Sequence, residues 1–124
     1  MHVFYIFYVD ETDDIDIRLV DSFNNSYGRV EIGFKGAWGS VCSDGWDIAD
    51  AQVVCRQLGF TKALAATVNS VWGGGSGRVW LSNVNCNGDE KNIQECVNFK
   101  WSGYSCADTK QAGAICSGLL ACTN

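Results

Sequence analysis

The residues of this chain that carry the most chemistry are its seven cysteines, at positions 42, 55, 86, 96, 106, 116 and 122. Thiols can bind zinc, attack a substrate or pair as disulfides, and spacing discriminates among the three. A structural zinc site draws on close pairs such as Cys-x-x-Cys, whereas no two cysteines here stand nearer than six positions. A nucleophilic thiol needs a base beside it, and the only histidine is His2, near the start of the chain. Disulfides are the reading that remains, and they place the chain in an oxidising compartment outside the cytosol. Because the count is odd, at least one cysteine is free or pairs with another chain.

Two further stretches hold residues with chemical potential. Successive glycines open the run Gly73-Gly74-Gly75-Ser76-Gly77, as a phosphate cradle would, but a nucleotide-binding loop needs Gly-Lys and then Ser or Thr at the start of a helix. Here Gly77 leads through Arg78 into Val79 and a strand, so the run is expected to be a hinge-like connection. Asn24-Asn25-Ser26 is an N-glycosylation acceptor, of use to a chain that is secreted. The formal charge is −5, yet Asp10, Glu11, Asp13 and Asp14 supply four of the negative charges, and from Ile15 onward ten acidic residues face nine basic ones. A body so near to neutral, with no basic stripe, points away from nucleic acid as a partner.

The elements that must position these residues are clearest between residues 38 and 60, which read as a strand, a tight turn and a helix with Cys42 in the strand and Cys55 in the helix. Asp47 stands just before Ile48, where its carboxylate can accept from the free amides of the first turn. Asp50 then lies near the positive end of the helix dipole. Ile48, Ala51, Val54, Cys55 and Leu58 recur at helical spacing and predict one apolar face. Gly59 ends the run. A helix this short does not persist alone in water, and Cys55 on its buried face is the obvious clamp. Residues 15–20 and 28–34 alternate apolar and polar side chains as half-buried strands, and Lys35-Gly36 turns the second into a hairpin with residues 37–42. Residues 61–69 and 78–84 read as further strands, 90–95 as one helical turn inside the loop from Cys86 to Cys96, and 111–116 as a short last strand. The two cysteines of that loop are close enough in sequence for a local bridge. Trp38, Trp46 and Val54 are expected in the core.

With 124 residues the chain is a single domain whose apolar core alone leaves a thin margin of stability, and fourteen glycines with no proline suit a loop-rich, covalently stapled fold. Residues 1–14 are expected to be a poorly ordered leader or the truncated end of a longer polypeptide. The apolar run at 3–9 is too short to span a bilayer, which takes about twenty residues. The domain proper is placed at 15–118, with 119–124 as a tail carrying Cys122.

Taken together, the pattern resembles the scavenger receptor cysteine-rich (SRCR) family. The matching pieces are Arg18-Leu19-Val20, Gly28-Arg29-Val30-Glu31, Trp38-Gly39-Ser40-Val41-Cys42, Asp44-Gly45-Trp46-Asp47, and the run Asp50-Ala51-Gln52-Val53-Val54-Cys55-Arg56-Gln57-Leu58-Gly59. Leu81, Asn83-Val84, Cys86-x-Gly88-x-Glu90-x-x-Ile93-x-x-Cys96 and Ala112-Gly113 before Cys116 follow in the family's order. The resemblance implies an α+β fold, a curved antiparallel sheet wrapped around one main helix and stapled by disulfides. It also implies the pairings Cys42–Cys106, Cys55–Cys116 and Cys86–Cys96. Ser26 and Phe60 stand where the family's eight-cysteine branch has two more, so the six-cysteine branch is implied.

By the same resemblance, the chain is expected to be a non-catalytic extracellular module, secreted or part of a receptor ectodomain. Such modules bind proteins, polyanions or microbial surface molecules in innate recognition. The alternative is an accessory domain of a larger secreted protease or oxidase. The family's calcium sites would be built on Asp44 and Asn83, but Ser43, Ser82 and Lys110 stand where further acidic or amide ligands belong; no cofactor is required and calcium binding is expected to be depleted. Arg78, Lys100, Trp101 and Lys110, on or beside connecting loops, are the candidate ligand contacts. Cys122 is a candidate for an intermolecular disulfide.

Overall fold

The computed structural model describes residues 15–74, 78–96, 106–107 and 109–119. The leader at 1–14, residues 75–77 of the glycine run, Lys100, Trp101 and Cys122 lie outside the described residues. The elements run β1 (Ile15–Val20), β2 (Tyr27–Phe34), β3 (Ala37–Val41), α1 (Ile48–Gln57), β4 (Phe60–Thr67), β5 (Val79–Leu81), a 3-10 turn (Ile93–Glu95) and β6 (Gly113–Leu119).

Strand β2 is the spine of the sheet. Its side chains alternate, so Val30 and Ile32 are fully buried while Glu31 between them faces outward. Strand β1 pairs along one edge, from Ile15 opposite Phe34 to Val20 opposite Arg29. The other edge is divided. β3 takes Glu31 to Phe34 through the hairpin at Lys35 and Gly36, whose φ angles of 51° and 83° are those of a type I′ turn. β6 takes Tyr27 to Arg29. Where the two partners diverge, Ala112 bonds to both sides, accepting from Val30 N–H at 3.0 Å and donating to Val41 O at 2.8 Å. That divergence curls the sheet into the order β4-β6-β2-β3-β5. One pair departs from the antiparallel expectation: β3 and β5 run parallel, as the long connection between them allows.

Helix α1 fills the hollow of the curl. Asp47 caps it, its carboxylate accepting from Ala49 N–H at 3.1 Å and Asp50 N–H at 3.3 Å. Ala51, Val53, Val54 and Cys55 are wholly buried against Val30, Ile32, Val41, Leu81 and Ile93. Gly59 takes φ +99° and ends it.

Several expectations are corrected. Ile48 is half exposed, because the first helical position points outward, and Val53 takes its place in the core. Trp38 is 37% exposed: it shares a face with Gly33 across the hairpin, on the outer side of the sheet, where a glycine leaves room for the indole. Strand β4 ends at Thr67 rather than 69, and β5 covers only Val79–Leu81 because Asn83 turns left-handed at φ 54°. The helical turn is confined to Ile93–Glu95, since the Glu90 carboxylate closes a tight turn on Asn87 and Gly88 instead. Strand β6 begins at Gly113 and runs on to Leu119.

Three disulfides lock the frame: Cys42–Cys106, Cys55–Cys116 and Cys86–Cys96, with Cα–Cα distances of 6.0, 5.5 and 4.6 Å. The first two span 64 and 61 residues and are worth roughly 4 kcal/mol each in the chain-entropy model; the third spans 10 and is worth about 3.

Candidate ligand-binding surface

The polar residues of α1 are spent on holding the frame. Asp50, with no exposed surface, accepts from Asp47 N–H and from Cys86 N–H, both at 2.8 Å. Arg56 donates to Gly88 O at 2.6 Å and Glu90 O at 2.8 Å, and Gln57 accepts from Ile93 N–H at 2.9 Å. These three side chains tie the backbone of the Cys86–Cys96 loop to the helix. Gln52 does the same for β4, donating to Thr61 O and accepting from Ala63 N–H. Trp46 reaches across the core to Gly113 O at 2.9 Å.

The electrostatics follow from this arrangement. Burial pushes the Asp50 carboxyl up to about 7, against the pull of the Cys86 and Asp47 N–H groups, and the neighbouring Asp47 charge adds to the push. The N–H of Asn87, with that of Gly88, holds Glu90 below its usual value. Cys86 Sγ, Cys96 Sγ and a Glu90 oxygen gather within 4.8 Å of one another. Both sulfurs are spent on the disulfide and the carboxylate on backbone N–H groups, so this cluster is structural.

The rim where β3 and β5 end carries Asp44, Asn83 and Lys110. Lys110 and Asp44, each about half exposed, form an ion pair with Nζ 3.8 Å from Oδ1. Lys110 is anchored by its own carbonyl, which accepts from Ser43 N–H at 2.7 Å. Ser43 is buried, its hydroxyl accepting from Asn69 N–H. Asn83 lies beside Gly45, its side-chain oxygen 3.2 Å from where a Gly45 Cβ would stand. Asp44 and Lys110 are therefore brought together, with Asn83 beside the neighbouring Gly45. An ammonium beside Asp44, and a hydroxyl already used at Ser43, make a donor set that fits a hard divalent cation poorly. Arg78 is set apart at the entrance to β5, exposed, with its guanidinium carbon 5.0 Å from the Trp80 ring. A planar cation braced on an aromatic face suits carboxylate, sulfate or phosphate groups.

Sequence reasoning missed a second charged array on the outer face of β1 and β2. Arg18 donates to Glu31 from Nε and Nη2 at 2.9 and 2.7 Å, and stacks 3.8 Å above the Trp38 ring. Arg29, buried, pairs with Glu31 at 2.8 Å and Asp21 at 2.7 Å. Burial works against the Arg29 charge, but the hydrogen bonds and charges of Asp21 and Glu31 outweigh it and raise its pKa. The available signal was the pairing of β1 with β2, which sets Arg18 directly opposite Glu31.

The chain belongs to the scavenger receptor cysteine-rich domain family, whose model matches residues 20–117. It is 43% identical over 105 residues to a scavenger receptor cysteine-rich domain superfamily protein of Patiria pectinifera, covering 85% of this chain and 9% of that one. It is 38% identical over 109 residues to lysyl oxidase homolog 3B of Danio rerio, covering 86% of this chain and 13% of that one. The crystal structure of the third SRCR domain of murine neurotrypsin superposes with a TM-score of 0.76 at 40% identity, covering 86% of this chain and 99% of that one. The chain thus spans a small part of the curated relatives' length and nearly the whole of the solved domain. Among the described residues no helix is long and apolar enough to cross a membrane.

Proposed function

We propose that the chain is an extracellular recognition module that binds protein, polyanionic or microbial surface ligands through Lys110 on the rim and Arg78 at the entrance to β5, with Lys100 and Trp101 as further candidates and without catalysis or a required calcium ion. The observation that carries this reading is the division of labour among the polar residues. Those of the helical motif turn inward to hold backbone, while Arg78 and Lys110 stand exposed on a disulfide-locked frame. A rigid edge presenting charge loses little entropy on binding.

Retention of the full chain on dextran sulfate tests it. The parent should elute at higher salt than an Arg78→Glu/Lys110→Glu variant, since each neutralised cation removes counterion release. Equal elution would count against the rim. A second reading is favoured by the likeness to lysyl oxidase homolog 3B: an accessory domain beside a catalytic one. The neighbouring segments of the full transcript separate the two, repeated copies of this domain supporting the first and an oxidase or protease domain the second.

A further inference from the structure

The loop joining β1 and β2 presents Asn24 in a defined posture. Its side-chain oxygen accepts from Ser26 N–H at 2.7 Å, its carbonyl accepts from the Ser22 hydroxyl at 2.7 Å, and its N–H donates to that hydroxyl at 3.3 Å. With the oxygen turned into the loop, the amide nitrogen lies on its far side, and the residue is exposed. The loop is fixed to the sheet, because Cys116 N–H donates to Ser26 O at 2.7 Å.

Asn24 also forms part of the wall of a groove of about 530 Å³, which continues over Leu58, Phe60, Cys116 and Gly118. That volume is within the roughly 300–1,000 Å³ range of small-ligand sites. Its lining is largely apolar, with Phe60 and Cys116 each less than a tenth exposed. A ligand suited to it has one apolar face and one hydrated face, and a hexosamine ring meets that description.

We propose that Asn24 carries an N-linked glycan whose innermost sugar lies in this groove. The inference rests on the extracellular reading of the chain. In the modification Asn24 Nδ2 forms a bond to the anomeric carbon of a lipid-pyrophosphate-linked oligosaccharide. The anomeric C–O bond breaks, the lipid pyrophosphate leaves with its electron pair, and an amide proton passes to a base of the transferase. Once attached, the sugar is held at the groove by its own tether, which supplies a high effective concentration without any great intrinsic affinity.

The full chain, secreted behind a supplied signal from a glycosylating cell, provides the test. Intact mass and peptide mapping should place a glycan on Asn24, and Ser26→Ala should abolish it. That variant removes the acceptor triplet but keeps the backbone N–H that orients Asn24. Trimming the glycan to its first sugar should leave a melting temperature about 3 °C above that of Ser26→Ala, an advantage that Leu58→Gln removes and Phe23→Ala leaves intact. Phe23 is fully exposed and adjoins Asn24 in sequence, so it is the competing platform for the sugar. An unmodified Asn24 in the secreted protein overturns the proposal, whatever the rim binds. A modified Asn24 with no thermal advantage, or an advantage lost in Phe23→Ala, overturns the placement in the groove.

Discussion

Asp50 makes the stability of this domain depend on pH in a direction opposite to that of most carboxylates. It is wholly buried and its pKa stands at about 7, above the roughly 4 of an aspartate in an unfolded chain. The folded state therefore holds a proton that the unfolded state releases. A raised folded pKa contributes stability fully below the unfolded value and loses it as pH rises through the folded one, here between about pH 4 and pH 7. The loss is about 2–4 kcal/mol. Asp50→Asn keeps the shape and cannot titrate, so it removes this dependence on pH. Urea unfolding of the disulfide-intact protein, followed by tryptophan fluorescence, should find the stability of the parent relative to Asp50→Asn falling by about 2–4 kcal/mol from pH 4.5 to pH 8. A gap that stays constant across this range, or widens toward high pH, would refute the reasoning.

Other consequences are more direct. Arg29→Ala removes the guanidinium from Glu31 Oε2 and Asp21 Oδ2 while Arg18 still holds Glu31 Oε1, and should cost about 2 kcal/mol in the same urea assay. Gly113→Ala sets a methyl group 2.5 Å from the Gly28 carbonyl oxygen and 2.8 Å from the Trp72 ring, so unfolding should come about 1–3 kcal/mol more easily. Replacing Cys86 and Cys96 together by serine should remove about 3 kcal/mol, yet leave a folded domain by near-ultraviolet circular dichroism, because Asp50, Arg56 and Gln57 still hold the loop. Calorimetric titration with calcium should give tighter binding, by at least about tenfold, for Ser43→Asp/Lys110→Glu than for the parent, where Lys110 sits on Asp44.

The parts of this fold legible in the sequence are those whose cause is local. Alternation marks β1 and β2, a glycine with a tolerant neighbour marks the hairpin, and an aspartate before an apolar periodicity marks the start of α1. What escaped is set by partners distant in the chain. Asp50 reads as a charge suited to a helix N-terminus, but its burial is fixed by Cys86, which lies 36 residues away. Arg18 and Glu31 become a pair only when the register of β1 on β2 is known. The exposure of Trp38 was within reach, since in a hairpin it must share a face with Ser40 and Gly33 rather than with Val41.

These two kinds of residue also differ in what they allow the domain to do. An exposed pair such as Asp44–Lys110 contributes at most about 1 kcal/mol, so the rim can change its charges with little effect on folding. Asp50, Arg56 and Gln57 have no such freedom, because each satisfies backbone groups of another segment and its loss leaves them without partners. A frame that consumes its own polar residues internally, and is closed by covalent bonds, separates the requirement to fold from the choice of ligand. On the proposed reading, recognition is varied at Arg78 and Lys110 while the hydrogen bonds of α1 stay as they are.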